Sequence, residues 1–498
     1  MTLVPVECQE SVHVRQGETD QHVRNHSWDN DQRNPYNWKK SRKYFIVTVG
    51  ILAVLNSTLS SSLPSNASDA IGAHFSITNE LQLVLPVSCY LIGYVIGPLI
   101  CGPLSEQLGR KPVLSVSFFL YMMFTVCSGL SPTFPALLVF RLLCGANASA
   151  PIAVVGGLYA DVFRGPRERG RAMAWFMAAT NLGPCLGPIL AGSLSPISWR
   201  LVFWLSLALA GATFPLIILL PETFAPVLLS EDLENPHQSS GKRACSISTS
   251  ALKPRLPEMP WQELLRPYQM IFYESIVSCT CLYISFVYAI FYLYLQAYPV
   301  IFKGPDSIYQ LSAVVQGALF LPIGLGALLS LPIFHLWDNY LQRSTVAGKG
   351  WTGHEELRRL PLACLGGPLC AISLFWLGWC SHTSVHWIVP ALSGVPFGIG
   401  FVLIFIAMLN YLTDAYEVYS ASAQSIASTC RSIFGTLLPL AAKRMYIAMG
   451  VHWASSLLGF VGLLLSLIPF AFIRCGKRLR ASSKLCSHLK ESREQFND

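Results

Sequence analysis

Apolar residues in this chain come in long unbroken runs separated by short polar connectors, not in the alternation of a soluble core. A bilayer core of roughly 30 Å takes about 20 residues of helix to cross. Runs of that size fall at about 44–64, 82–103, 113–131, 136–160, 172–193 and 200–220. They resume at about 271–296, 310–335, 361–380, 386–411, 423–442 and 452–473. The pattern predicts an all-α membrane protein, with twelve transmembrane helices in two six-helix bundles.

The polar stretches set the expected organisation: a cytoplasmic tail over 1–43, a first bundle over 44–220, a linker over 221–269, a second bundle over 270–473 and a tail over 474–498. The linker holds Ser239, Ser240, Ser246, Ser248 and Ser250 with several prolines and both signs of charge. Such a segment buries too little apolar area to fold alone, so a disordered, solvated tether is expected. The first 40 residues contain no apolar stretch, so the first span is expected to direct insertion with the N-terminus left inside.

Composition agrees. Only 12% of the 498 residues are charged and 52% are hydrophobic, whereas a soluble domain carries roughly 25% charged residues. A soluble enzyme, a nucleic-acid binder and a disordered scaffold are thereby excluded. The net charge of +8 belongs to topology. Lys39, Lys40, Arg42 and Lys43 precede the first span, and Lys477, Arg478, Arg480 and Lys484 follow the last. Cytoplasmic flanks carry such an excess. The connectors with Arg110 and with Arg164, Arg167, Arg169 and Arg171 also fall inside, while those at 132–135, 194–199 and 381–385 hold no Lys or Arg. Lys303 and the pair Lys443–Arg444 run against the bias. Most of the 15 cysteines sit within apolar runs as packing residues, in no disulfide or zinc spacing. Asn66-Ala67-Ser68 is a glycosylation sequon in an outer loop.

Chemistry concentrates in three places. Gly102-Pro103-Leu104-Ser105-Glu106-Gln107-Leu108-Gly109-Arg110-Lys111 follows the second run and makes a tight inside turn: Gly109 allows the reversal, Glu106 can cap or pair, and Arg110 and Lys111 hold the loop inside. Arg141, in Arg141-Leu142-Leu143-Cys144-Gly145, lies within apolar sequence, where a charge costs at least a few kcal/mol and marks a functional site unless it snorkels outward. In the fifth run, Gly183, Gly187 and Ala191 share a helix face that admits a close neighbour, and Pro184 and Pro188 favour a bend.

The ordered Gly, acid, Gly, basic-basic spacing of the loop resembles the signature between spans two and three of the major facilitator superfamily. Its Ser-Glu version, with the doubled Gly-Pro of the fifth run, resembles the fungal drug:proton antiporter branch with twelve spans, the multidrug and polyamine exporters. The resemblance covers about residues 35–482 and includes Trp199-Arg200-Leu201-Val202-Phe203-Trp204, Pro221-Glu222-Thr223-Phe224, Asn410-Tyr411-Leu412-Thr413-Asp414 and Trp453-Ala454-Ser455-Ser456. It implies alternating access, with the loop locking and releasing the halves, a part for Arg141 in proton coupling, and export in exchange for protons.

Arg431 lies deep in the eleventh run with no acid at i,i+4, so it is expected to face the cleft or meet an acid from another helix, Glu274 being one candidate. Asp161 and Asp414 are the other acids near the spans, Asp414 with Glu274 being a candidate for coupling, and His335 is the only histidine within one; the sequence assigns the proton to none of them. Asn147, Asn181, Tyr288, Gln316 and Asn410 are candidates to line the cavity, with an aromatic wall from Tyr283, Tyr288, Phe291 and Tyr292. Such a wall suits hydrophobic or amphipathic drugs, toxins or fungal secondary metabolites. Uptake of a nutrient by symport, or export of a polyamine, is the alternative. No phosphate loop, catalytic constellation, metal set or cofactor motif is found, so a transporter and not an enzyme is expected. It is expected to work as a monomer in the plasma membrane, with the vacuolar membrane as the alternative.

Overall fold

The structure, a computed structural model, describes residues 31–234, 268–302, 307–416 and 420–482. The first bundle comprises α1 (Lys40–Ser62), α2 (Glu80–Leu108), α3 (Arg110–Gly129), α4 (Phe134–Ala148 continued by Ala150–Val162), α5 (Pro166–Leu194) and α6 (Trp199–Ile218). The second comprises α7 (Ser275–Phe302), α8 (Ala313–Ala318 continued by Leu321–Val346), α9 (Pro361–Cys380) and α10 (Ile388–Leu392 continued by Gly394–Tyr416). Gly450, at φ 76°, breaks the run Ser420–Leu465 into α11 (420–449) and α12 (451–465), which goes on through Leu467–Ser482. Proline opens α5 and α9, where its missing N–H costs nothing.

Ten helices are long and apolar enough to cross a membrane on length and composition alone; α5 and α11 are not among them. The reason is position. The halves meet along α5 with α8 and along α2 with α11, so these two helices face protein and tolerate Asn181, Ser428, Thr429, Arg431 and Ser432. The outer helices do the opposite. α3 exposes Val116, Phe119 and Met123, and α12 exposes Leu457, Phe460 and Leu464. Only lipid can cover such a surface, and helices are the form that satisfies its backbone there. The protein is a multi-pass integral membrane protein. α1, α7 and α10 are the most enclosed of the spans.

Two sequence expectations need correcting. The linker, expected to be unstructured, forms a helix over Ala225–Glu234; 235–267 lie outside the described residues, as does Lys303. Asn66 is no surface acceptor for a glycan. It is 4% exposed in the 3₁₀ turn Leu63–Ala67, with its Nδ2 donating to the Pro188 carbonyl at 3.0 Å.

Candidate functional site

The turn between α2 and α3 is built around Gly109, at φ 99°. A side chain there would be strained, and its Cβ would stand 2.6 Å from a Glu222 oxygen. That carboxylate comes from the segment after α6. It accepts from the backbone N–H groups of Arg110 and Lys111, each at 3.0 Å, and from those of Thr223 and Phe224 at 2.8 and 2.9 Å. An anion at a helix N-terminus satisfies orphan donors and meets the positive end of the dipole. Arg110 reaches Ser105 Oγ at 2.7 Å and Asp161, at the end of α4, at 3.3 Å. Glu106, the acid the sequence offers for this role, is half-exposed and 3.9 Å away. Gly102 adjoins open space. The second half repeats the arrangement: Arg359, before α9, meets Asp414 of α10 at 2.8 Å, and Arg480 of α12 pairs with the buried Glu356. Asp414 is therefore half of an ion pair at one end of its helix. Glu274 accepts from the Tyr416 hydroxyl at 3.0 Å and makes no bond to Arg431.

Between the halves, Arg167 and Arg171 of α5 reach Asp338 of α8 at 2.9 and 3.2 Å. Toward the opposite end of the same two helices, backbones touch instead: a Cβ on Gly317 of α8 would stand 2.5 Å from the Pro188 carbonyl of α5. The halves thus touch toward both membrane faces.

The two glycines of the doubled Gly-Pro of α5 pack within their own half. A Cβ on Gly183 would meet Thr58 Oγ1 at 2.1 Å, and one on Gly187 would meet Ser62 Oγ at 2.0 Å. Pro184 sits between these two contacts, and Pro188 carries the carbonyl bound by Asn66.

Arg141 of α4 is fully buried. Its Nε donates to the Pro86 carbonyl at 2.9 Å, and its NH2 to those of Ser60 and Ser61 at 3.0 and 3.3 Å. The Ser60 carbonyl is free to accept because its helical donor would be residue 64, a proline. The guanidinium also lies 4.2 Å from the centre of the Tyr90 ring. A polar path runs on from there. Ser61 Oγ contacts the Tyr292 hydroxyl of α7 at 2.7 Å, which accepts from Tyr288 at 3.4 Å, and Arg431 of α11 lies 5.5 Å over the Tyr288 ring.

The family profile described as Major Facilitator Superfamily matches residues 46–439. The chain belongs to the Major Facilitator Superfamily. It is 35% identical over 467 residues to "Major facilitator superfamily multidrug transporter mdrA" of Aspergillus fumigatus, covering 93% of this chain and 75% of the relative. It is 35% identical over 453 residues to "Efflux pump FUBT" of Fusarium oxysporum, covering 90% and 75%. "MFS-type transporter traF" of Penicillium crustosum is 35% identical over 470 residues, with 93% of each chain covered. The proton:xylose symporter XylE, at TM-score 0.63 and 18% identity over 88% of this chain and 97% of that one, has the same fold.

For a member of this superfamily, the cleft between the halves is where the expected cavity residues matter. Asn181 of α5 is buried with neither amide atom bonded, and Gln316 of α8 is buried with its oxygen unbonded. The hydroxyl of Tyr298 on α7 is likewise without a partner, whereas Tyr294 lies inside its own half, edge-on to Phe397 and facing Ser373. Asn147 turns back to the Leu143 carbonyl at 2.9 Å. Asn410 lies elsewhere, in a small cleft with Trp337, Asp338 and Arg359. The aromatic wall divides: Phe291 stacks on Phe397 of α10 inside its own half, whereas Tyr288 and Tyr292 lead toward α1. Sequence reasoning missed Glu222 as the cap, Asp338 as the bridge between halves, and Ser61. Only Glu222 had a local signal, at the start of a polar stretch just past a span.

Proposed function

We propose that this protein is a proton-driven exporter of hydrophobic or amphipathic small molecules, drugs, toxins or secondary metabolites, working by alternating access. The halves over 44–220 and 270–473 rock about the cleft, and the linker tethers them. The observation that carries this reading is the set of buried polar groups with unbonded atoms where the halves meet, Asn181 of one half with Gln316 and Tyr298 of the other, set among aromatic rings. Buried polar groups rarely go unpaired. A pocket of apolar walls with a few convergent polar atoms suits an amphipathic solute. The names of the efflux relatives support the direction of transport, as does the doubled Gly-Pro of α5.

Protons supply the drive, Arg141 takes part in the coupling, and the working unit is a monomer in the plasma membrane. Nile red efflux from a fungal host stripped of its own exporters tests this. Expression should speed loss of the dye, and a protonophore should abolish the gain. Accumulation of the dye instead would reverse the assigned direction.

A further inference from the structure

Arg431 of α11 is 4% exposed, yet among the described residues no carboxylate lies within ion-pair distance of it. Its one protein hydrogen bond is to Ser428 Oγ at 3.2 Å, and its Nε has no partner. The rings of Tyr288 and Phe405 lie 5.5 and 6.0 Å from the guanidinium carbon. Its electrostatic neighbours are the phenols of Tyr288, Tyr292 and Tyr94, the last on α2 of the other half. One turn on, a Cβ at Gly435 would touch both Tyr288 and Leu91 of α2. The group therefore lies where the halves meet.

A guanidinium in a dry interior is costly without a counter-charge, and ring faces repay only about 2 kcal/mol of that cost. Arg141, the other fully buried arginine of the path, is also without a carboxylate but is held by three backbone carbonyls. Arg431 has no such set. The field around the path is positive, which repels a cation and attracts an anion.

We propose that Arg431 is the anchor for an organic anion, a solute whose carboxylate pairs with the guanidinium while its aromatic body lies against Tyr288 and Phe405. This rests on the transport reading above and narrows its substrate class. A carboxylate matches the planar fork of arginine in two-pronged fashion, and the unbonded Nε is one of the two donors required. Chloride offers the same charge without the shape.

The full chain in lipid nanodiscs is titrated by calorimetry with 2-naphthoate, 2-naphthylmethanol and 2-naphthylmethylammonium, in gluconate and in chloride buffer. The naphthoate should bind at least about tenfold more tightly than the other two. Arg431→Gln should remove that preference, and Arg431→Lys, which keeps the charge, should retain part of it; both are checked for monodispersity. Three probes binding alike, or an Arg431→Gln protein that still prefers the naphthoate, would overturn the proposal. So would chloride binding that depends on Arg431 and that naphthoate does not displace, since the counterion would then be inorganic. Charge-selective binding in a protein that speeds the loss of neither Nile red nor 2-naphthoate from cells would sink the export reading and leave this site standing. Protonophore-sensitive export with charge-blind binding would do the reverse.

Discussion

Arg167 of α5 donates to Asp338 of α8 across 2.9 Å, and the two residues belong to different halves. Arg171 shares the same carboxylate oxygen at 3.2 Å. All three groups are partly exposed to water, so the bridge can form and part without a large desolvation penalty.

Asp338→Asn should tip the protein toward the state open to the cytoplasm. A partly exposed bridge is worth about 1 kcal/mol, which shifts the balance of states about fivefold. The labelling rate of a cysteine placed at the cytoplasmic end of the cleft measures this. A rate equal to the parent's would assign the bridge no part in closure.

Gly109→Ala should lower both thermal stability and transport. The new methyl meets the Glu222 carboxylate, and the φ of 99° is unfavourable to any side chain, together costing about 1–3 kcal/mol. Glu222→Gln should be milder, because an amide oxygen can still accept from Arg110 and Lys111. Melting of the purified proteins should rank parent, Glu222→Gln, Gly109→Ala from most to least stable.

Gly187→Leu should stop efflux by forcing α5 off α1, since even a Cβ would stand 2.0 Å from Ser62 Oγ. Gly183→Ala should follow the same direction through Thr58. Undiminished export by the leucine variant, at matched protein level, would count against the packing assigned to this face.

Arg141→Ala should insert and reach the membrane yet fail to transport. Removing the guanidinium strands the Ser60 carbonyl, which Pro64 has already deprived of a helical donor, at about 1–3 kcal/mol. Arg141→Lys keeps the charge but not the fan of three carbonyl bonds, so it should recover insertion stability more than activity. Nile red efflux beside surface expression separates the two effects.

Asn66→Gln should leave electrophoretic mobility unchanged with and without glycosidase, because the amide is enclosed against α5. A mobility shift on removing the asparagine would show that this turn is open during maturation.

Helix number and the two-bundle plan were legible in the sequence, because a bilayer imposes one length on every crossing. Even α5 and α11, the most polar spans, stood out against the connectors beside them. The loop at Gly109 was legible as a turn, but its cap was not: Glu222 lies 112 residues beyond Arg110, and no periodicity links them. Arg431 was legible as a deep charge, but its partner was misjudged. Tyr288, over which it lies, is fourteen residues beyond Glu274 on α7, roughly 21 Å along the helix. Glu274 is held by Tyr416 instead. Asn181 and Gln316 could be named as polar residues in apolar runs, but only packing between the halves decides that the Asn181 amide and the Gln316 oxygen have no protein partner.

Arg110 with Asp161 and Arg359 with Asp414 fasten the third helix of each bundle to the fourth in the same manner. Doubling that clasp makes each bundle a stiff lever, so motion has to be taken up where one lever bears on the other. The inner bearing is ionic and water can lubricate it; the outer one, Gly317 on Pro188, is backbone packed on backbone, its carbonyl already taken by Asn66. Bulk added at the outer bearing should therefore jam the stroke, whereas altered charge at the inner one should only change how long each end stays shut.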